Sequence, residues 1–181
     1  MAEKIIFIDR DGVINVDMMG DYVKSWEEFR FEKGAVEGLK KLCDAGYQIV
    51  LISNQAGIGD GAFPESALWD IQKKMLAELA KGGVAIKASY YCLHGKEAGC
   101  ACRKPQIGLF EQAAREHVFD RGATYFIGDK ATDVEAGKRF GLKTFFVRTG
   151  HGRADEPKLR GNLKPDQSAD NLLEAAKALT A

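Results

Sequence analysis

The 181-residue sequence has no excess of charge of either sign, because 26 Lys and Arg residues are matched by 26 Asp and Glu residues. Proteins that bind nucleic acid non-specifically carry a clear basic excess, so the composition disfavours that class. No apolar run approaches the roughly 18–20 residues that a bilayer-spanning helix needs. The N-terminus leads only into a short apolar run at 5–8, so we expect no signal peptide, no membrane association and a cytoplasmic location.

Internal repeats, low-complexity tracts and domain linkers are also missing, so we predict a single domain over residues 1–181. Short β-branched and aromatic runs alternate with amphipathic stretches along the chain. Strands are predicted at 4–8, 48–52, 88–91, 125–127 and 144–147, and helices at about 34–45, 64–82, 107–117, 131–140 and 169–180. This alternation predicts an α/β fold, with a central parallel sheet and helices on both faces.

Carboxylates follow two of the predicted strands, where ligands bind in parallel sheets. Asp9 and Asp11 come after the first strand and Asp129 after the fourth, with Asp133 four residues further on. The spacing of Asp9 and Asp11 suits a nucleophile with an acid/base partner, although a turn capped by Asp11 has the same pattern. Crowded carboxylates need a cation, and hard oxygen ligands favour Mg²⁺. We expect Asp133 to cap its helix or to hold Lys130.

Two further pairs of polar residues suit a phosphoryl group. The Ser53 hydroxyl and the Asn54 amide follow the second strand and can hydrogen-bond phosphoryl oxygens. Lys104 offers a point charge, and Arg103 offers a bidentate fork. Alone, the Ser-Asn pair is a weak signal, since both residues are common in loops, and the Arg-Lys pair alone favours two solvated surface cations. The order of the pairs along the chain therefore carries the information.

Three of the four cysteines cluster with a histidine, while Cys43 stands alone in a predicted helix. The cluster consists of Cys92, His94, Cys100 and Cys102. In a reducing compartment such a cluster indicates metal ligands rather than disulfides. Three thiolates and one imidazole suit a closed, structural Zn²⁺ site with no open position for catalysis. The alternative is a chance cluster of reduced cysteines.

The order strand-Asp-x-Asp-Gly, strand-Ser-Asn, Lys-Pro, strand-Gly-Asp-x-x-x-Asp resembles the four motifs of the haloacid dehalogenase (HAD) superfamily of phosphohydrolases. The resemblance spans residues 5 to 147, and segments 9–15, 53–58 and 102–105 are similar to one branch. That branch holds heptose 1,7-bisphosphate phosphatases and histidinol-phosphate phosphatases, and it carries a zinc loop before Arg-Lys-Pro. The resemblance implies a Rossmann-like HAD fold with a zinc loop at about 92–102. Neither gap between the motifs is long enough for a large cap domain.

The resemblance also implies a role for each motif residue. Asp9 attacks phosphorus, and Asp11 protonates the leaving alkoxide and later takes a proton from water. Mg²⁺ is held by Asp9, the Asp11 backbone carbonyl and Asp129. Ser53 and Lys104 orient and neutralise the transferring phosphoryl group. Positioning and charge stabilisation are the main catalytic needs of phosphoryl transfer, so these residue types suit the reaction.

The implied activity is hydrolysis of the C7 phosphate of D-glycero-D-manno-heptose 1,7-bisphosphate, for lipopolysaccharide or a related surface polymer. Histidinol phosphate and other small sugar phosphates are the alternative substrates. A receiver-like phospho-acceptor module is disfavoured, because a signalling module should preserve its aspartyl phosphate and Asp11 would promote hydrolysis. We expect a monomer, with no nucleic-acid partner.

Small loops must shape the pocket in the absence of a cap, namely 15–24, 55–63 and the zinc loop. The role of His151, after the last predicted strand, stays open. The candidate substrate contacts are Asp17, Tyr22, Asn54, Gln55, Arg103 and Lys130.

Overall fold

The computed structural model describes residues 2–181 and contains one parallel β-sheet. Its strands are β1 (Ile5–Ile8), β2 (Gln48–Asn54), β3 (Ile86–Cys92), β4 (Tyr125–Gly128), β5 (Lys143–Val147) and β6 (Gln167–Ala169). They are arranged in the order β3-β2-β1-β4-β5-β6, and every pairing is parallel. The predicted α/β fold with a parallel sheet is confirmed.

Seven α-helices connect or flank the strands of the described chain. They are α1 (Ala35–Asp44), α2 (Ala56–Gly59), α3 (Glu65–Lys81), α4 (Gly108–Glu116), α5 (Ala131–Phe140), α6 (Gly152–Asp155) and α7 (Leu172–Thr180). Single 3-10 turns lie at Arg121–Ala123, Glu156–Lys158 and Gly161–Leu163. In the chain from residue 2 onward, no helix combines the length and the apolar character that crossing a membrane requires.

The core consists of two layers, because successive residues of a strand point to opposite faces of the sheet. Ile6 and Ile8 of β1 pack in a cluster with residues of α1, α3 and α7. Ile5 and Phe7 pack in the opposite cluster with residues of α4 and α5. The predicted helices on both faces are therefore present, and β1 is buried along its whole length.

The prediction was wrong at the C-terminal end of the sheet, where it had five strands instead of six. β6 has only three residues, and its two polar positions, Gln167 and Ser168, are exposed, so it lacks an apolar signal. The last helix begins at Leu172 rather than at residue 169, because the Asn171 side chain caps it by accepting from the Glu174 N–H at 3.0 Å.

The topology brings the motif residues to one edge of the sheet. β1 lies between β2 and β4, so the chain leaves β1 at the centre of the carboxyl edge. It then turns sharply at Gly12, where φ is 84°. A Cβ at this glycine would lie 2.2 Å from Oδ2 of Asp129, so only glycine fits there.

Candidate active site

Asp9 lies at the centre of this edge and is 4% exposed. Its Oδ1 accepts a hydrogen bond from the Arg10 backbone N–H at 2.7 Å, and its Oδ2 lies 2.8 Å from Nζ of Lys104. Burial raises the pKa of Asp9 to about 6, although the nearby Lys104 charge lowers it. The carboxylate is thus fixed in place by one donor on each oxygen.

Asp129, at the end of β4, has the properties of a cation ligand. Its Oδ2 accepts the His151 backbone N–H at 2.7 Å, while its buried Oδ1 has no hydrogen-bond partner in the described chain. Burial, with Asp133 nearby, raises the pKa of Asp129 well above its usual value. One carboxylate oxygen from each of Asp9, Asp129 and Asp133 lies within 4.8 Å of the others. An all-oxygen donor set with an orphaned oxygen fits Mg²⁺.

Asp133 links the helix after β4 to Lys104. Its Oδ2 accepts the Lys130 backbone N–H at 3.0 Å, which holds the first turn of α5 as the sequence predicts. Its Oδ1 lies 2.7 Å from Nζ of Lys104, a contact that sequence reasoning missed. The close approach depends on Gly128, because a Cβ there would lie 2.3 Å from Cβ of Asp133.

Lys104 is buried, with 3% of its surface exposed. Its Nζ donates to the Ile52 carbonyl at 3.0 Å and pairs with both Asp9 and Asp133. Burial alone would lower the pKa of Lys104, but the two carboxylates raise it above its usual value. The side chain therefore remains a cation beside Asp9.

Asp11 lines the same cavity as Asp9 but contacts a second set of residues. Its Oδ1 accepts from Arg10 Nη2 and Asn15 Nδ2, both at 2.9 Å. Its Oδ2 accepts from Gln55 Nε2 at 2.7 Å and from Arg10 Nη2 at 3.0 Å. Burial would raise the pKa of Asp11, but Arg10 and the hydrogen bonds lower it below its usual value.

The polar residues after β2 lie between these two sets of contacts. The Ser53 Oγ is buried and accepts from Gln55 Nε2 at 3.1 Å. Asn54 binds the backbone of Lys104 twice: its Oδ1 accepts the N–H at 3.0 Å, and its Nδ2 donates to the carbonyl at 3.2 Å. Asn54 thus fixes the segment that carries the lysine, and its contact with substrate stays a prediction.

A cavity of about 330 Å³ opens above Asp9, and all six candidate substrate residues line it. In this cavity Asp17 Oδ2 lies 3.1 Å from Lys130 Nζ and 3.0 Å from His151 Nε2. The Tyr22 hydroxyl donates to Asp60 Oδ2 at 3.3 Å, which ties the first loop to the second. His151, whose role the sequence left open, thus lies beside the pocket.

Arg103 and Lys96 are the cavity-lining Lys and Arg side chains with no carboxylate at salt-bridge distance in residues 2–181. The Nη1 of Arg103 is buried without a hydrogen-bond partner. Both residues lie on or next to the Cys/His loop, so this side of the cavity offers unpaired positive charge to an anion. Sequence reasoning included Arg103 but not Lys96.

The four residues of the Cys/His cluster come together as the spacing predicts. The Sγ of Cys92 lies 3.6 Å from Cys100 Sγ and 3.2 Å from Cys102 Sγ. His94 presents Nδ1, at 3.1 Å from Cys102 Sγ and 3.6 Å from Cys92 Sγ. Zn–S bonds of about 2.3 Å in a tetrahedron require ligand separations of about 3.8 Å, so small adjustments would complete the site. Three thiols and one imidazole nitrogen are a donor set that fits Zn²⁺.

The Cys/His loop packs tightly on the site. The Gln55 N–H donates to the Cys92 carbonyl at 2.8 Å. α2 approaches so closely that a Cβ at Gly59 would lie 2.1 Å from the backbone nitrogen of Gly95. Since Cys102 directly precedes Arg103, the geometry of the cluster sets where the two following cations begin.

Comparison with known proteins gives matches over the length of the chain. The HAD-hydrolase-like family model matches residues 101–175. The D-glycero-beta-D-manno-heptose-1,7-bisphosphate 7-phosphatase of Haemophilus ducreyi is 37% identical, and the alignment covers 96% of this chain and 97% of that protein. The D-glycero-D-manno-heptose-1,7-bisphosphate 7-phosphatase of Chlorobaculum tepidum is 40% identical, with 96% and 92% covered. The chain belongs to this family of HAD-like phosphatases.

A solved structure of the family has the same fold. The D,D-heptose 1.7-bisphosphate phosphatase from B. bronchiseptica, complexed with magnesium and phosphate, superposes with a TM-score of 0.92. It is 34% identical to this member of the family and covers 97% of both chains. The resemblance to the HAD superfamily and the absence of a large cap domain are confirmed.

Sequence reasoning missed two residues of this HAD-like site besides Lys96. Arg10 and Asn15 both contact the Asp11 carboxylate. A signal for Arg10 was available, because a charged residue between two aspartates that follow a buried strand must lie at the carboxyl edge of the sheet. Asn15 gave no such signal, because its approach to Asp11 depends on the turn that Gly12 makes.

Proposed function

We propose that this protein is a Mg²⁺-dependent phosphatase that removes the C7 phosphate of D-glycero-D-manno-heptose 1,7-bisphosphate. One observation carries the proposal: a buried Asp9 carboxylate is held against the Lys104 cation beside the orphaned oxygen of Asp129. Relatives of matching length, 37–40% identical, are named for this reaction. A neighbouring structure of the family was solved with magnesium and phosphate.

The reaction proceeds in two steps through an aspartyl phosphate. In the first, an oxygen of Asp9 attacks phosphorus and the bond from phosphorus to the C7 oxygen breaks. Arg10 keeps Asp11 ionised in the free protein, so Asp11 takes up a proton before this step and donates it to the C7 oxygen. In the second, Asp11 takes a proton from water as the water attacks phosphorus, the bond to Asp9 breaks and inorganic phosphate leaves. When held by Asp9, Asp129 and the Asp11 carbonyl, Mg²⁺ supplies charge that offsets the repulsion between carboxylate and phosphate.

The remaining residues position the phosphoryl group and the sugar. Lys104 neutralises phosphoryl oxygens, and the Ser53 hydroxyl orients them. Arg103 binds the phosphate that is not transferred, since its buried Nη1 lacks a partner at the cavity wall. Asp17 and Lys130 exchange their mutual ion pair for sugar and phosphate contacts.

The remaining candidate contacts, those of Tyr22, Asn54 and Gln55, are with the sugar hydroxyls. We propose that the chain acts as a single catalytic domain and as a monomer. We place it in the cytoplasm, where reduced thiols can hold zinc. Its product would serve the synthesis of lipopolysaccharide or a related surface polymer.

The test compares phosphate release from the heptose bisphosphate, as each C1 anomer, with release from histidinol phosphate in the presence of Mg²⁺. We expect kcat/KM for the bisphosphate to exceed that for histidinol phosphate by at least about 100-fold, because Arg103 and Lys96 offer charge to a second phosphate. The Asp9→Asn variant serves as the blank. A preference for histidinol phosphate would contradict the substrate assignment. Activity on neither compound would contradict both substrate assignments.

The Cys/His cluster gives a separate prediction. The purified protein should contain one equivalent of zinc, and Cys100→Ser should lose it, since a hydroxyl is a poor zinc ligand. We expect lower activity and a lower melting temperature, because the loop is too small to have a core of its own. Metal analysis under reducing, chelator-free conditions measures the zinc. The isolated Cys43, replaced by Ser, is the matched control, and full zinc content in Cys100→Ser would contradict the site.

A further inference from the structure

Arg10, between the two aspartates of the first motif, is 1% exposed. Its Nη2 donates to both oxygens of the Asp11 carboxylate, at 2.9 and 3.0 Å. In residues 2–181 no other carboxylate lies at salt-bridge distance from its guanidinium, and its Nε and Nη1 are buried without a hydrogen-bond partner. A guanidinium stays charged when buried, so burying one with unsatisfied N–H groups lowers the free energy of unfolding. Stability alone does not explain an arginine here.

Gln55 and Asn15 complete the contacts around Asp11. Gln55 Nε2 donates to Asp11 Oδ2 at 2.7 Å, and its Oε1 accepts from Arg10 Nη2 at 3.4 Å. Asn15 Nδ2 donates to Asp11 Oδ1 at 2.9 Å. Each carboxylate oxygen of Asp11 therefore has two donors, and Arg10 is the donor that both oxygens share.

The guanidinium itself is held against the third strand. Its Cζ lies 6.0 Å from the centroid of the Tyr91 ring. The Tyr91 hydroxyl donates to Gln72 Oε1 of α3, and Gln72 Nε2 donates to Ser89 Oγ at 2.8 Å. Tyr91 directly precedes Cys92. The end of β3 therefore carries both the aromatic ring beside the Arg10 guanidinium and the first residue of the Cys/His cluster.

We propose that Arg10 is a positioning residue that sets the orientation of the Asp11 carboxylate for proton transfer. The Tyr91 ring, which lies beside the guanidinium, holds Arg10 in place. The inference rests on the proposed phosphatase function, in which Asp11 is the acid/base. Nη2 contacts both oxygens, while Asn15 and Gln55 each contact one, so the three donors together fix the plane of the carboxylate and Arg10 supplies the charge. Proton transfer requires such alignment with the C7 oxygen and later with water.

The test is a double-mutant cycle of Arg10→Gln with Asp11→Asn, assayed on two substrates. For the heptose bisphosphate, whose alkoxide must be protonated, we expect Arg10→Gln to lower kcat by about 100-fold with little change in KM. In the Asp11→Asn background the same substitution should cause no further loss, since residues that act through one group are not additive. Arg139→Gln, on the surface of α5, is the matched control and should retain full activity.

The second substrate, 4-nitrophenyl phosphate, separates the two steps. Its phenolate leaves with the bonding electron pair and needs no proton, so Arg10→Gln should still form the aspartyl phosphate. Hydrolysis of this intermediate should be slowed, because Asp11 then has to take a proton from water. Rapid-mixing measurements should therefore show a burst of about one equivalent of 4-nitrophenolate, followed by slow turnover. A merely structural role for Arg10 would reduce the burst as well.

Two results would overturn the inference: an equal loss from Arg10→Gln in the Asp11→Asn background, or a burst lost together with turnover. If the melting temperature shows that Arg10→Gln does not fold, Arg10→Lys takes its place in the same cycle, since it keeps the charge but loses the planar guanidinium. A wild-type protein that releases no phosphate from either substrate would refute the proposed function instead. An active wild type with additive losses would refute only the role of Arg10.

Discussion

Replacing Asp9 with Asn is expected to abolish phosphatase turnover and leave the fold intact. An amide oxygen is a far weaker nucleophile than a carboxylate, and the aspartyl phosphate cannot form. We expect kcat to fall by on the order of 10⁴-fold or more, as for other enzymes that lose their nucleophile. Phosphate release from the heptose bisphosphate with Mg²⁺ measures the loss. Asp70→Asn, which removes a surface carboxylate paired with Lys74 on α3, is the matched control and should be fully active.

The same substitution should not lower the stability of the metal-free protein. Burial raises the pKa of Asp9 to about 6, so the folded state binds this proton more tightly than the unfolded state does. The stability that the protonated form contributes is therefore lost as the pH rises through about 6. Above that pH a neutral Asn avoids the buried charge, and the melting temperature should equal or exceed that of wild type. Wild-type turnover by Asp9→Asn would remove the nucleophile assignment.

The sheet was largely predictable because its central strands are buried on both faces. β1 consists wholly of Ile and Phe, and β2 contains the run Ile-Val-Leu-Ile at 49–52, continuous apolar runs that solvent-facing strands do not have. β6 has no such run, since it pairs at the edge with β5 and exposes its polar residues. Short edge strands are defined by backbone hydrogen bonds with a neighbour, which a single sequence does not display.

The part of the site that was predictable is the set of residues that directly follow neighbouring strands. Asp9 and Asp129 occupy the ends of adjacent strands, so their proximity follows from the topology. The contacts of Lys104 with Asp133 and of Arg10 with Asp11 do not follow in this way. The first contact depends on the path by which the Cys/His loop returns to the sheet. The second depends on the direction in which the turn at Gly12 orients each side chain. Loop geometry of this kind results from long-range packing and not from local pattern.

Lys104 holds together a site that would otherwise be crowded with negative charge. One carboxylate oxygen from each of Asp9, Asp129 and Asp133 lies within 4.8 Å of the others, and Lys104 pairs with two of the three groups. The lysine therefore lowers the pKa of Asp9 against the effect of burial, and in the proposed mechanism it also neutralises the phosphoryl group. The two hydrogen bonds between the Asn54 side chain and the Lys104 backbone keep the lysine in this position.

Replacing Lys104 with Met is accordingly expected to have two large effects. The first is a loss of kcat of on the order of 10²–10³-fold, since a preorganised charge at the phosphoryl group is removed. The second is a loss of stability of about 3–5 kcal/mol in the metal-free protein, since removing one partner of a buried pair leaves the others uncompensated. Phosphate release and denaturant unfolding with a chelator present measure the two effects. Lys81→Met, on the exposed end of α3, is the matched control and should change neither.

The stability loss in Lys104→Met should depend on pH, with a sign that follows from the carboxylates. In wild type burial raises the pKa of Asp9 to about 6, and Lys104 lowers it, so without the lysine this pKa rises further. A carboxyl group whose pKa is raised in the folded state contributes stability at low pH and loses it as the pH rises through that pKa. The deficit relative to wild type should therefore be small in acid and should grow as the pH rises above about 6. A deficit that is the same at every pH would mean that the methionine disturbs packing, and that Lys104 does not offset the charge of Asp9.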